Sequence, residues 1–191
     1  MKLFSIETER LLLRPMRLSD AEEFLPMIND NKISNWIMLS PPISLKKERA
    51  YVRKSRRKWK QGKEFGFAVV LRENGELIGA AGTHRIDREN SQVELGIFLA
   101  RSWHGKGCGK EAVSALLWLA FKKLKLHRIV YKVFEGNEAS RNLISKLGGK
   151  EEGFLRESVR KKSKFVSAHV YAVLKKEWKQ RGKAKVIPQG K

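Results

Sequence analysis

The sequence predicts an α/β (α+β) fold in which strands and helices alternate around a mixed sheet. Two observations carry this prediction. Apolar runs of strand length recur along the chain, and two of them flank Asn74-Gly75, a strong hairpin signal. Segments with apolar residues at helical spacing lie between other runs, and they begin at capping residues and end near glycines. A ligand in such a fold is expected at strand ends beside a crossover.

The elements follow from these patterns. The predicted strands are Leu11–Met16, Phe65–Leu71, Leu77–Thr83, Val93–Leu99, Arg128–Phe134, Phe154–Val159 and Val166–Leu174. The predicted helices run from a capping box at Ser19 through Ile28, from Ser44 to Gly62, from a glycine turn to Leu124, and from Asn137 to Gly148. Residues 29–42 are expected to form a loop. The second helix has a thin apolar stripe, and its remaining basic surface must be solvated or contact an anion.

Length and composition indicate one globular domain with a sizeable core, since 41% of the 191 residues are hydrophobic. This domain is expected to span residues 1–178, followed by a basic tail at residues 179–191 that is predicted to be disordered. No signal-peptide pattern or membrane-spanning run is found in the sequence. The single cysteine excludes an internal disulfide and fits a cytoplasmic protein. The four histidines and one cysteine are scattered, so no metal site is expected.

The net charge of +21 is concentrated in two stretches. Residues 46–63 hold ten Lys or Arg and one Glu, and residues 156–191 hold twelve Lys or Arg and two Glu. Residues 1–45 are near neutral. Local charge of this kind favours an anionic partner, such as the ribosome or its RNA, or an acidic protein substrate. The alternative is a lysine-rich surface without a partner, as in heat-adapted proteins.

The stretch Trp103–Lys110 reads WHGKGCGK and lies where an apolar strand turns into a helix. Glycines at such a turn let backbone N–H groups converge at the positive end of the helix dipole, and Lys106 and Lys110 add charge. These features suit a pyrophosphate. The glycine spacing fits neither a Walker loop nor the dinucleotide fingerprint. A purely structural turn is the alternative.

Several separate motifs, found in one order along the chain, narrow the choice of protein family. They are ETERLLLRP from Glu7, ELGIFLARSWHGKGCGKEA from Glu94, LHRI from Leu126, NEASRNL from Asn137, KLG from Lys146 and EG from Glu152. Together they resemble the GNAT superfamily of acyl-CoA N-acyltransferases, and the opening motif is similar to the branch that holds the ribosomal-protein N-terminal acetyltransferases. The resemblance implies a mostly antiparallel central sheet of about seven strands flanked by helices, with two strands splayed apart to admit the pantetheine arm.

The resemblance also implies acetyl-CoA as co-substrate, without a metal. The residues expected to bind it around the glycine turn are Phe98, Leu99, His104, Gly105, Lys106, Gly107, Cys108, Gly109 and Lys110. By the same resemblance, Asn137 hydrogen-bonds the pantetheine, and Ser140 lies near the sulfur, where it helps return a proton to the thiolate. A plain helix cap is the alternative for Asn137. Arg141 is expected either to meet a CoA phosphate or to lie on a solvated face.

Glu94 is the leading candidate for the base that takes the proton of the amine. It is an acid within an apolar strand next to the expected thioester, and similar enzymes use a glutamate on this strand, directly or through water. The alternatives are a carboxylate that positions the substrate amine or pairs with an arginine. Tyr131 is an alternative acid, and Cys108 is a weaker candidate as an acyl-accepting nucleophile.

Three positions depart from the family pattern. His104 stands where Gln or Arg is usual, Gly149 where Phe is usual, and Ala168-His169 where an Asp often precedes the last strand's Tyr. A neutral imidazole at His104 adds no charge to the phosphate grip, and Gly149 removes some packing beside the CoA. The third departure bears on acceptor recognition more than on cofactor binding. His84, His127 and His169 show no partner in the sequence and are expected to be structural.

The predicted function is N-acetyl transfer to a primary amine by direct attack in a ternary complex. The preferred acceptor is the α-amine of a protein N-terminus, such as that of a ribosomal protein, because an α-amine has a pKa near 8 and a lysine one near 10.4. Acetylation of a small-molecule amine is one alternative. A basic RNA- or ribosome-binding protein on the same fold is another. The protein is expected to be a monomer or homodimer that does not engage a membrane.

Overall fold

The computed structural model describes residues 1–188. Its strands are β1 (Phe4–Glu7), β2 (Leu11–Pro15), β3 (Phe65–Leu71), β4 (Leu77–Asp87), β5 (Gln92–Leu99), β6 (Arg128–Phe134), β7 (Lys150–Lys161), β8 (Lys164–Leu174) and β9 (Lys185–Pro188). Its helices are α1 (Asp20–Asn29), α2 (Asn31–Ser34), α3 (Leu45–Lys60), α4 (Cys108–Trp118) and α5 (Glu138–Lys146). The strands form one sheet in the order β7-β8-β6-β5-β4-β3-β2-β1-β9. Among these described helices, none is long and apolar enough to span a bilayer.

β5 and β6 run parallel, whereas the other neighbouring strands pair antiparallel. The β5–β6 pairing extends only from Gln92↔Arg128 to Leu95↔Tyr131. β5 continues to Leu99 and β6 to Phe134 without further pairing between them in residues 1–188. The two strands therefore splay apart at their carboxyl ends, as the resemblance implies.

The sheet has helices on both faces. Alternate β5 residues Val93 and Leu95 pack with α4 in the larger core cluster, whereas Phe98 packs on the opposite face with Val52 of α3. Gly66 on β3 permits this second packing, because a Cβ there would lie 2.4 Å from the Ser55 Oγ of α3. A mixed α/β sheet with splayed central strands, flanked by helices, is thus confirmed.

The sheet has nine strands rather than seven because the sequence patterns missed β1 and β9, which are only four residues long. β9 pairs with β1 from Phe4↔Pro188 to Glu7↔Lys185, and Lys185 Nζ lies 2.8 Å from a Glu7 carboxylate oxygen. The prediction of a disordered tail is therefore wrong for Lys185–Pro188, which a neighbouring strand edge orders. Residues 189–191 of that predicted tail lie outside the described residues.

The predicted caps have different outcomes. Ser44 and Asn137 cap α3 and α5 as expected, because their side chains accept hydrogen bonds from the backbone N–H groups of Lys47 and Ser140. The capping box at Ser19 does not form, since Ser19 has helical backbone angles and makes no capping hydrogen bond with its side chain. The segment predicted as a loop after α1 contains the single-turn helix α2.

Candidate active site

The glycine turn forms a loop at the carboxyl end of β5. Gly105 and Gly107 adopt positive φ angles of 75° and 81°, and α4 begins immediately afterwards at Cys108. The first intrahelical hydrogen bond runs from the Glu111 N–H to the Gly107 carbonyl, so the N–H groups of residues 108–110 precede it. These N–H groups are therefore available to a phosphate at the positive end of the helix dipole.

Side-chain contacts connect the loop to the elements around it. The ring of His104 donates from Nε2 to the Leu99 carbonyl oxygen at 2.9 Å, which ties the loop to the end of β5. Lys106 Nζ lies 4.5 Å from the centroid of the Trp103 ring. Gly109 lies between Leu99 and Leu143 of α5, whose side-chain carbons would each be 3.7 Å from a Cβ at that position. The loop, the end of β5 and α5 are thus brought together.

A set of residues that the sequence analysis did not select holds this loop in place. Glu111, in the first turn of α4, accepts hydrogen bonds from the Thr8 hydroxyl at 2.7 Å and from the Arg10 N–H and Nε at 2.8 Å each. Arg10 also donates to the Lys106 carbonyl at 3.0 Å. Burial alone would raise the pKa of Glu111, but these hydrogen bonds outweigh it and hold the pKa below its usual value.

Cys108 is unsuited to nucleophilic catalysis. Its side chain is buried, and burial raises the pKa of the thiol. Because the thiolate is the reactive form, a buried thiol with a raised pKa is a weak nucleophile. The contribution expected from this position is the backbone N–H at the start of α4.

Asn137 and Ser140 lie just after β6, on the other side of the splay. The Asn137 Oδ1 accepts from the Ser140 N–H at 3.1 Å, so Asn137 is a helix cap, and no described residue bonds its amide nitrogen. The Ser140 hydroxyl contacts the phenol of Tyr131, and burial raises the pKa of Tyr131 to about 12 despite this contact. Tyr131 is opposite Leu95 in the last β5–β6 pair, so this hydroxyl pair lies at the vertex of the splay.

Arg141 points into a polar network on α5, β7 and β8. Its Nε donates to the Tyr171 hydroxyl at 3.1 Å, and its terminal nitrogens lie 3.0 Å from Glu138 and 3.6 Å from Glu151. Tyr171 in turn donates to Glu151 at 2.7 Å, and His169 is hydrogen-bonded to the same carboxylate. His169 and Arg141 are therefore engaged with protein groups in the described structure.

Glu94 lies on the opposite face of β5 from α4 and next to the same vertex. Its side chain is 23% exposed and pairs with Arg85 at 3.3 Å and with Lys132 at 3.7 Å. The cross-strand neighbour of Glu94 is His84, and burial lowers the pKa of this imidazole. A carboxylate on one face and the Ser140–Tyr131 hydroxyls on the other thus flank the gap between the strands.

No cluster of three or more His, Cys, Asp or Glu side chains that could hold a metal is present in residues 1–188.

Comparisons with known proteins agree with this geometry. Residues 10–150 match the family model described as acetyltransferase (GNAT) domain. The chain is 31% identical over 174 residues to the uncharacterized N-acetyltransferase p20 of Bacillus licheniformis, covering 91% of this chain and 98% of that one. It is 29% identical over 99 residues to the [ribosomal protein uS5]-alanine N-acetyltransferase of Escherichia coli, covering 51% of each.

Among solved structures, the acetyltransferase (GNAT family) from Bacillus anthracis superimposes with a TM-score of 0.80 at 25% identity. The match covers 91% of this chain and 99% of that one. The family model covers most of the chain, and the splayed strands and the loop at the start of α4 are the features that the family resemblance implied. The chain therefore belongs to the GNAT family of acetyltransferases.

Proposed function

We propose that this acetyltransferase transfers the acetyl group of acetyl-CoA to the α-amine at the N-terminus of a protein, with a ribosomal protein as the expected class. The observation that carries the proposal is the arrangement around the β5–β6 gap. The loop amides and Ser140 lie on the side of α4 and α5, and Glu94 projects from the other face of β5, where it pairs with Lys132 of β6. A thioester held in the gap would be open to an amine from the Glu94 side.

The reaction balances with the groups present. The amine nitrogen forms a bond to the carbonyl carbon of the thioester, and the bond from that carbon to sulfur breaks. The proton lost by the nitrogen passes to Glu94, directly or through water. The departing thiolate accepts a proton from the Ser140 hydroxyl, which is reprotonated by solvent water. Tyr131 lies beside the Ser140 hydroxyl and remains the alternative acid, although burial raises its pKa to about 12.

The chain offers Asn137 and the loop amides to the cofactor. The amide nitrogen of Asn137 is free to donate to a pantetheine carbonyl while its oxygen caps α5, which reconciles the two roles considered for this residue. The unpaired edge of β5 between Gly96 and Leu99 can pair with the peptide-like pantetheine. Lys106 and Lys110 supply charge near the phosphates.

Three arguments favour an α-amine. About a tenth of an α-amine with a pKa near 8 is neutral at pH 7, whereas a lysine side chain is neutral in only about one molecule in a few thousand. The relative from Escherichia coli is named for the alanine of ribosomal protein uS5. A net charge of +21 also disfavours polyamines and other polycationic acceptors at long range.

The outer face of α3 favours a second role, contact with ribosomal RNA or another polyanion. Its exposed basic side chains are Lys46, Lys47, Arg53, Lys54, Arg57 and Lys60. RNA binding that weakens steeply with salt would support this role, and it would complement acetylation on the ribosome rather than replace it.

The proposal is tested by offering acetyl-CoA and a panel of amines to the purified protein and reading the products by mass. The panel contains peptides with a free N-terminus, N-terminally blocked peptides with one lysine, polyamines and aminoglycosides. Acetylation of the free N-termini is expected. Acetylation confined to lysine or to a small molecule would refute the acceptor while the enzyme class remains, and calorimetry that detects no CoA binding would refute the cofactor assignment.

A further inference from the structure

A lysine of the β7–β8 hairpin reaches the α1–α3 loop, residues 30–42, which contains α2. Lys161, the last residue of β7, donates from Nζ to the backbone carbonyls of Ser34 and Ile37, the second at 2.8 Å. Ser34 ends α2, and the last carbonyls of a helix have no intrahelical partner. The same ammonium lies 5.3 Å from the centroid of the Phe134 ring at the end of β6. Lys161 therefore joins the α1–α3 loop to β6.

The two ends of the α1–α3 loop are held together by one side chain. Asn29 accepts a hydrogen bond from the Ile43 N–H at 2.8 Å, and its amide nitrogen donates to the Ile43 carbonyl at 3.0 Å. The residues between these two positions therefore project as a closed loop from the ends of α1 and α3. Lys161 holds the part of this loop that follows α2.

The loop begins over the β5 side of the β5–β6 gap. Glu94 and Phe98 lie on the same face of β5, because they are four residues apart on one strand. The Phe98 ring packs edge-on against Phe24 of α1, with 5.9 Å between the two ring centroids. α1 therefore covers the end of β5 on the face that carries Glu94, and it leads directly into the α1–α3 loop.

The loop then reaches the β6 side of the gap. Lys132 of β6 pairs with Glu94 at 3.7 Å, and Phe134, two residues further on, lies on the same face of the strand. Lys161 holds the loop beside this phenylalanine ring. The α1–α3 loop therefore crosses the splayed ends of the two strands on the side from which the acceptor is proposed to arrive.

Trp36 is the side chain that the loop places at this crossing. Two carbons of its ring, Cη2 and Cζ3, would lie 3.6 and 3.9 Å from a Cβ on Gly136. Gly136 lies between β6 and Asn137, the cap of α5, so the edge of the indole packs against the chain that joins them. Trp36 is 41% exposed, so part of its ring surface is open to a molecule that enters the gap.

We propose that Trp36 determines specificity as one wall of the entrance for the acceptor, and that Lys161 is the positioning residue that fixes this wall. The indole is backed by Gly136, and its segment is tied to the hairpin by Lys161, so the ring cannot withdraw from a large side chain. The wall therefore favours an acceptor whose first residue is small, such as alanine. This inference deepens the proposed function and rests on it, since it names the class of N-terminus that the entrance admits.

Trp36→Ala tests the wall, because it removes an exposed ring without opening the core. The quantity to measure is the ratio of kcat/KM for an alanine-initiated peptide to that for a leucine-initiated peptide of otherwise identical sequence. We expect this ratio to fall about tenfold or more in Trp36→Ala, with CoA affinity unchanged, since a fixed wall discriminates by the size of a side chain. Met38→Ala, which removes a more exposed side chain from the same loop, is the matched control and should leave the ratio unchanged.

Lys161→Met tests the positioning role, because methionine keeps an unbranched apolar side chain and removes the donor groups. The ratio should fall in this variant as it does in Trp36→Ala. The double variant should have almost the same ratio as Trp36→Ala alone, since Lys161 acts through Trp36. Lys161→Arg, which keeps a cationic donor, should retain most of the wild-type ratio. Lys164→Met, opposite Lys161 on the other strand of the hairpin, is the matched control and should not change it.

Two results would overturn the inference. The wall is refuted by an unchanged ratio in Trp36→Ala, or by an equal fall in Met38→Ala. The positioning role is refuted if Lys161→Met lowers the midpoint of thermal unfolding and leaves the ratio unchanged, which would make the lysine merely structural.

Failure of the proposed function can be told apart from failure of this inference. If no peptide N-terminus is acetylated, the proposed function fails, and the ratio is then taken between the amine that is accepted and its analogue with an isobutyl group on the carbon next to the nitrogen. A fall in that ratio in Trp36→Ala would support the wall, and an unchanged ratio would refute it.

Discussion

Gly107 is under two constraints at the residue scale. Its φ angle of 81° belongs to the left-handed region, and a Cβ at this position would lie 3.2 Å from a terminal nitrogen of Arg10. A side chain here would therefore strain the backbone and displace the arginine that supports the Lys106 carbonyl.

Gly107→Ala should weaken CoA binding about tenfold, since the left-handed conformation costs an alanine roughly 1–2 kcal/mol and the loop would relax away from it. Calorimetric titration with CoA measures the effect. Gly148→Ala is the matched control, because Gly148 also has a positive φ, 94°, but lies outside the loop. A Cβ at Gly148 would have no other atom within 4 Å. Equal losses of CoA affinity in the two variants would contradict a specific role for Gly107.

Glu94→Gln tests the proton acceptor. The amide is nearly isosteric but cannot accept the proton of the amine, so turnover should fall about 100-fold or more while CoA affinity stays nearly intact. Steady-state rates and CoA titrations measure the two effects. Glu152→Gln, which removes the partner of Arg128 at the other end of β6, is the control. A Glu94→Gln rate equal to wild type across about pH 6 to 9 would remove Glu94 from the base role.

Residues that carry a motif could be selected from the sequence, and residues that act through tertiary contacts could not. The loop glycines, Asn137 and Glu94 stand in recognisable patterns. Arg10 reaches its partners about a hundred positions along the chain, so no local spacing reveals it. Glu48 lies within a run of ten basic residues, where it reads as part of a solvated face, and only the orientation of α3 shows that it is buried.

At the scale of elements, α4 is positioned by its first turn. Glu111 connects this turn to the chain between β1 and β2 through Thr8 and Arg10, and the same arginine supports the loop. The interaction fixes the N–H groups of α4 relative to the end of β5.

Glu111→Gln should lower the free energy of unfolding by about 1.5–3 kcal/mol at pH 7, the usual value of hydrogen bonds to a charged group. The pKa of Glu111 is lowered in the folded protein, so this stabilisation is present above the unfolded pKa of about 4.3 and is lost as pH falls through the folded value. Urea unfolding at several pH values should show a constant difference near neutrality that shrinks below about pH 4. A difference that grows on acidification would contradict this assignment. The control is Glu177→Gln, which removes the carboxylate from an exposed pair with Lys150 and should have a smaller effect on the free energy of unfolding.

Helices and strands long enough to show a hydrophobic period could be predicted from the sequence, whereas those ordered by contacts with neighbouring elements could not. β6 runs from Arg128 to Phe134 as predicted, and the ends of α3 differ from the prediction by two residues or fewer. β1 and β9 are too short to show alternation, and each is ordered by pairing with a strand distant in sequence. The Ser19 cap failed because the Asp20 carboxylate accepts from the Arg17 N–H and pairs with Arg14, which places Ser19 in a helical conformation.

At the scale of the whole molecule, positive charge lies on an exposed helix face, and a carboxylate lies beside the β5–β6 gap. The exposed side chains of α3 are mostly basic, while Glu94 stands next to the point where the strands separate. Long-range attraction should therefore act on the body of an acceptor, and short-range attraction on its ammonium end. Such an arrangement favours an acidic chain that begins with a free amine.

We accordingly expect the enzyme to discriminate between two alanine-initiated peptides that share their first three residues. One of the peptides is acidic downstream of these residues and the other is basic. At low salt the acidic peptide should have the lower KM, because the +21 charge attracts its body. The difference should largely disappear at about 1 M salt, where the Debye length falls from about 10 Å at 0.1 M to roughly 3 Å. Steady-state kinetics at several salt concentrations measure this, with kcat as an internal control that should change little. A preference for the basic peptide at low salt, or a preference independent of salt, would show that the charge of the molecule does not recruit the acceptor.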